Sequence, residues 1–234
     1  MSGPYPLKTH HGFADRPFVE SEVFDFIGRD SFPCVGAKAA LSQDEVRVVI
    51  AGDLRSERDD DRVVKQVQAF AEHASNDAVF LSLVVVFEQT PLLSEIAFEN
   101  ALWARLQALH DIDARTHRWD PRVSSDARAP DFSMSFGGRG FYVIGLHPGA
   151  SRAARRFTRA ALVFNLHSQF EVLRQDGRYA KLQDVITARD IALCGSRNPM
   201  LSTHGVTSEA PQYSGRAVGN DWGCPFRAHR DCPL

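Results

Sequence analysis

The chain has only four cysteines in 234 residues, too few for the disulfide framework that staples small secreted domains. With Cys34, Cys194, Cys224 and Cys232 so sparse, a reducing cytoplasm is the expected setting. No apolar run approaches the roughly 20 residues that a spanning helix needs; the longest, Ala78 to Phe87, is interrupted by Ser82. The polar stretch Met1 to Pro17 carries no apolar segment of the kind a signal peptide requires. Charge of one sign is missing as well. Lys plus Arg number 27 against 29 Asp plus Glu, so no general attraction to nucleic acid or an anionic membrane is expected. There is no P-loop, no dinucleotide fingerprint and no G-x-S-x-G elbow. The spacing of Cys224, His229 and Cys232 fits no standard zinc module. Trp and Tyr are scarce, at three and four, yet Phe numbers 16. That is enough flat apolar surface to line a core and still wall a pocket.

Periodicity predicts an amphipathic helix over Arg16 to Arg29, with apolar residues at Phe18, Val23, Phe24, Phe26 and Ile27. The stretch Phe32 to Ala51 reads as a hairpin through the turn Ser42 to Glu45, with Cys34 at the start of its first strand. Asp59 to Asp61 opens a helix that continues through Val63 to His73, the acids favoured by the helix dipole. Ala78 to Glu88 is the strongest strand signal and looks buried on both faces. Thr90-Pro91 ends it, and Leu92 to His110 is helical. Residues 111–130 read as loop, possessing Pro121 and Pro130. Phe132 to Phe136 and Phe141 to Leu146 form a second hairpin turned by Gly137-Gly138. Ala160 to Leu166 is a strand, and Ser168 to Leu193 is helical with a break at Gly177. The expected fold is α+β, a largely antiparallel sheet with hairpins packed against helices, followed by a long irregular tail from Cys194. One domain is expected over 1–234, with little order in 1–16 and 229–234.

Phe132 to Phe170 contains no Asp or Glu but holds Arg139, Arg152, Arg155, Arg156 and Arg159. Arg grips carboxylate or phosphate through paired hydrogen bonds, so this segment suggests an anion site; a solvated basic face is the plain alternative. His147 and His167 each follow a predicted strand, where a side chain can face a pocket from a rigid backbone. Cys34-Val35-Gly36 is similar to the sequence around the thiolate ligand of some heme monooxygenases, where backbone N–H groups approach the sulfur. Glu88 ends the central strand and would suit a guanidinium partner. Glu95 and Glu99, one turn apart, read as an exposed helix face.

Several blocks occur together and in order. They are Phe32-Pro33-Cys34-Val35-Gly36-Ala37, Asp131 to Arg139, Gly145 to Arg152 with Arg155-Arg156-Phe157, Val163 to His167, Gly195 to Leu201, and Trp222-Gly223-Cys224-Pro225-Phe226. This set resembles the YqcI/YcgG family over about residues 17–228. Characterised members of that family are heme-dependent N-hydroxylases of guanidino groups, as in D-cycloserine and guanitoxin biosynthesis. The resemblance implies heme b as cofactor, and oxygen or hydrogen peroxide as oxidant, with a redox partner where oxygen is used. It implies L-arginine or a related small guanidine as substrate.

On that reading Phe132, Phe136, Phe141 and Phe164 wall the cofactor, and Arg139, Arg152, Arg155 and Arg156 hold its carboxylates. The axial ligand is Cys34 or His147, with His167 next. Thiolate favours O–O cleavage, while imidazole suits peroxide chemistry equally, so the choice stays open. Glu88 would hold the substrate guanidinium and His167 would relay protons. The Phe surplus would also permit a homodimer. Two other readings stand beside this one. A heme carrier or sensor would lack turnover, and a non-heme enzyme would use the arginines for a phosphorylated substrate and the histidines for acid–base work.

Overall fold

The structure, a computed structural model, describes residues 16–75, 79–201 and 205–229. Expectations for residues 1–15 and 230–234, Cys232 among them, lie outside the described residues. Among the described residues, six helices and five strands follow one another as α1 (Arg16–Gly28), α2 (Val35–Ser42), β1 (Val46–Ala51), α3 (Asp60–His73), β2 (Ser82–Phe87), α4 (Glu95–Asp113), β3 (Met134–Phe136), β4 (Arg139–Leu146), β5 (Ala160–Leu166), α5 (His167–Gln175) and α6 (Tyr179–Cys194). The strands form one sheet in the order β1-β2-β5-β4-β3. Three pairings are antiparallel and β1–β2 is parallel. The fold is therefore mixed α+β with a mostly antiparallel sheet, as the pattern of elements predicts. Among the described residues, no helix is long and apolar enough to cross a membrane.

The first predicted hairpin does not form. Val35–Ser42 is helical, and Cys34 is its N-cap, with Sγ accepting from the Ala37 N–H at 3.4 Å. Ala37, Lys38, Ala39, Ala40 and Leu41 are strong helix formers, and a capped first turn lets that preference prevail over the β-branched run that follows. β1 pairs instead with β2 through the crossover helix α3. The second hairpin forms as expected, because Gly137 and Gly138 both adopt positive φ, 58° and 70°. Such a two-residue turn matches the right-handed strand twist. Gly177, at φ 70°, likewise separates α5 from α6.

β2 is buried along its whole length, and its alternation feeds two cores. Leu83, Val85 and Phe87 join Phe141, Val143, Phe164 and residues of α3 and α4 on one face. Val84 and Val86 join Val48, Ile50 and residues of α1 and α2 on the other. The described residues of the tail from Gly195 are irregular apart from a 3-10 turn, Ala210–Gln212, yet they are part of the structure. Ala210, Tyr213, Cys224 and Phe226 are buried in the first core. The Tyr213 carbonyl accepts from the Gly145 N–H at 2.7 Å, so the tail caps β4 where β3 ends.

Candidate functional site

The second face of the sheet is not fully covered. Between it and helices α1, α2, α5 and α6 lies a cavity of about 320 Å³, open on one side. Small-ligand sites begin at roughly that size. Its walls are mostly apolar, with Phe26, Phe32, Phe80, Phe157 and Phe170 among them. Cys34, Arg152, Arg155 and His167 all reach it.

Cys34 is delivered by the turn that starts α2, so its sulfur faces the backbone N–H groups of Gly36 and Ala37. Burial pushes the thiol pKa up, while those N–H groups and the charge of Arg155 oppose the rise. The thiol is thus neutral until a partner for its negative charge arrives, yet the donors that would steady a thiolate are already aimed. Phe80, whose ring lies over Gly36, has φ 61°. A bulky side chain rarely takes that conformation; here buried Gln169 holds the Phe80 N–H at 3.0 Å and the Leu81 N–H at 3.3 Å.

The five arginines of the acid-free segment do not form one clamp. Arg155 turns inward, where carbonyls of Gly145, Gln212 and Tyr213 accept from it at 3.0, 3.0 and 3.4 Å. It has no carboxylate partner among the described residues, and burial pulls its pKa down. A half-buried cation satisfied only by carbonyls remains a receptor for an anion. Arg152, also at the cavity, is paired with Asp190 at 2.5 Å. Arg156 points out and donates to the Ala150 and Ser151 carbonyls, both at 2.9 Å. Arg139 donates to the carbonyls of Ala71 and Ala74 beyond the cavity, and Arg159 pairs with Glu22.

His167 opens α5 and lines the cavity, its Nδ1 2.9 Å from Ser133 Oγ and its Nε2 3.1 Å from Glu171 Oε1. His147 does not line it. Its ring is buried and stacks on Phe98 of α4, centroids 4.1 Å apart. Nor does Glu88 reach the cavity, because it lies beyond the C-terminal end of β2 while Ser82, at the other end, lines the wall. Phe132, Phe136, Phe141 and Phe164 belong to the first core, on the opposite face. The wall phenylalanines are others. Their alternation partners on the sheet, Tyr142, Ile144 and Val163, carried the only early signal, since period two assigns them away from Phe141 and Phe164. Asp190 was legible too, one helical step beyond Leu182 and Ile186 along the cavity face of α6.

The buried histidine has a measurable consequence. Burial lowers the His147 pKa to about 4, against an ordinary value near 6.5. Between these pH values the unfolded chain binds the extra proton, so stability falls as pH drops through the window, by up to about 3 kcal/mol for this one group. Asp60, pushed up to about 6 by burial, acts in the opposite direction, so the comparison with a His147→Gln variant isolates the imidazole. The variant should lose less stability than the parent between pH 6.5 and 4.5 in urea titrations. Equal losses would show that the folded chain protonates His147 freely.

A mixed α+β protein with an apolar cleft, a helix-capping cysteine and a half-buried cation facing it is the class that fold and site define. The chain belongs to the YqcI/YcgG family, whose model it matches over residues 23–227. It is similar to "Uncharacterized protein YcgG" of Bacillus subtilis (strain 168), with 25% identity over 149 residues, 62% of this chain. The chain spans 58% of that relative's length. No solved structure matches it.

Proposed function

We propose that this chain holds heme b in the cavity with Cys34 as the protein ligand of the iron, and N-hydroxylates a small guanidine such as L-arginine. The observation that carries the reading is the setting of Cys34: a half-buried thiol, aimed into an apolar cleft from a helix N-terminus, with two backbone N–H groups and a half-buried guanidinium around it. The donor set suits the cofactor. A thiolate ligand needs N–H donors to temper its charge, a planar apolar ring needs walls such as Phe32, Phe80 and Phe157, and its carboxylates need cations. Arg155, which pairs with no carboxylate among the described residues, and Arg152 would hold them. Bound heme supplies activation of oxygen or peroxide.

The chain's own residues do the rest. Apolar walls exclude water and favour a buried, oriented guanidine. His167, held between Ser133 and Glu171, is placed to hold or move a proton at Nε2. Hydroxylation replaces one guanidine N–H by N–OH. With hydrogen peroxide the second product is water; with oxygen, a redox partner supplies two electrons, and two protons are taken up.

Titrating the purified chain with heme tests the first step. A Soret band and a ferrous–CO band at the thiolate position are expected, and Cys34→Ala should lose the latter while His147→Gln keeps it. No Soret band would defeat the reading, and an imidazole-type CO band unaltered in Cys34→Ala would move the ligand elsewhere. Incubating the loaded protein with L-arginine and oxidant should add one oxygen by mass. Heme retention with no added oxygen in any guanidine would leave a carrier or sensor.

A further inference from the structure

Arg152 and Asp190 both line the cavity and hold each other. Arg152 Nη2 donates to Asp190 Oδ2 at 2.5 Å and to the Ser196 carbonyl at 2.9 Å. The two side chains are only 11% and 15% exposed. A carboxylate and a carbonyl converging on one guanidinium are the groups that would recognise any guanidinium. In this structure the occupant is the chain's own.

The two halves of the pair are mounted differently. Arg152 precedes a 3-10 turn, Ala153–Arg155, whose last residue is tied to three carbonyls. Asp190 rides on α6, none of whose residues is fully buried. Gly177 and Gly195 stand outside the two ends of α6, both with positive φ, and a Cβ on either would meet nothing within 4 Å. The helix covers the cavity without being wedged into a core, so its carboxylate can exchange partners without repacking.

We infer that Asp190 is the carboxylate that receives the substrate guanidinium, and that Arg152 fills its place until an incoming carboxylate draws Arg152 away. The inference rests on the heme reading for the source of that carboxylate. Arg152 then exchanges one anion for another, and Asp190 exchanges one guanidinium for another, so neither charge is stranded at any stage. The two binding events are coupled: cofactor loading frees the cradle and raises guanidine affinity, and a guanidine raises cofactor affinity by the same factor. Asp190 thus takes the role for which Glu88, remote from the cavity, was the candidate.

An ion pair that merely anchors α6 predicts something different, since losing either partner would then loosen the same contact. Calorimetric titration of the full chain, without cofactor, with L-arginine and with methylguanidine separates the two. Arg152→Gln should bind both about tenfold more tightly than the parent, because the competitor is gone. Asp190→Asn should bind about 30-fold more weakly, as expected when a buried charge loses its partner. The heme-loaded parent should approach the Arg152→Gln affinity. Weakening in both variants, or unchanged affinity in Asp190→Asn, would overturn the inference. If Asp190→Asn fails to fold, Arg152→Gln decides alone, and no gain in affinity overturns it. Failure of heme to bind is read separately from the Soret band and leaves the comparison of cofactor-free variants intact.

Discussion

Phe164→Ala is expected to cost about 3–5 kcal/mol of stability while leaving heme affinity of the folded protein unchanged. Phe164 is fully buried in the central strand β5, edge-on to Phe136 at 5.8 Å and to Phe141 at 6.1 Å. Its neighbours across the sheet are Leu83 and Val143. Truncation opens a void that β2 and β4 cannot collapse into without breaking ladder hydrogen bonds. Yet the ring projects toward α3 and α4, away from the cavity. Urea denaturation and heme titration of the same variant read the two effects separately. Full stability with weakened heme binding would make Phe164 a cofactor wall after all.

Arg216→Met should cost about 3 kcal/mol by stranding a buried carboxylate. Glu99 of α4 is 5% exposed. It accepts from Ser214 Oγ at 3.0 Å and from Arg216 Nε at 2.8 Å, and pairs with Arg216 Nη2 as well. Removing the guanidinium leaves the carboxylate with one hydroxyl. A Glu99→Leu/Arg216→Met double variant should recover most of the loss, because an apolar pair strands nothing. Denaturant midpoints of the single and double variants decide this, and equal losses would show that the pair is not energetically coupled. The contact also matters at the cavity. Ser214 and Arg216 follow Gln212 and Tyr213, whose carbonyls hold Arg155, so loosening the tail should weaken heme binding in Arg216→Met.

These two positions show how far sequence reading reaches. Glu95 and Glu99 lie one turn apart on an apparently ordinary helix, and an exposed face was the expectation. Instead Glu95 accepts from Ser151 and Glu99 is buried. The partners are 56 and 117 residues away along the chain, and no local pattern encodes them. The arginine segment fails in the same manner. Five like charges in sequence suggested one clamp, but each side chain's direction depends on which carbonyl or acid a distant element brings. The missed helix α2 is different in kind: its Ala-rich composition and Cys34 cap were local signals, outweighed in the reading by the β-branched strand after it.

The sequence by itself determined the α+β class, the hairpin at Gly137-Gly138, the doubly buried β2 and the family, because these follow from periodicity, turn chemistry and ordered blocks of residues. Cys34 and Arg155 were visible as candidates for the same reason. Only the tertiary structure decided that Cys34 faces a cleft, that His147 and Glu88 are remote from it, and that one set of phenylalanines fills the core while another walls the cavity. Which face of the sheet a helix covers depends on apolar area gathered from the whole chain. That sum is nonlocal, and so the position of the cavity is legible only after folding.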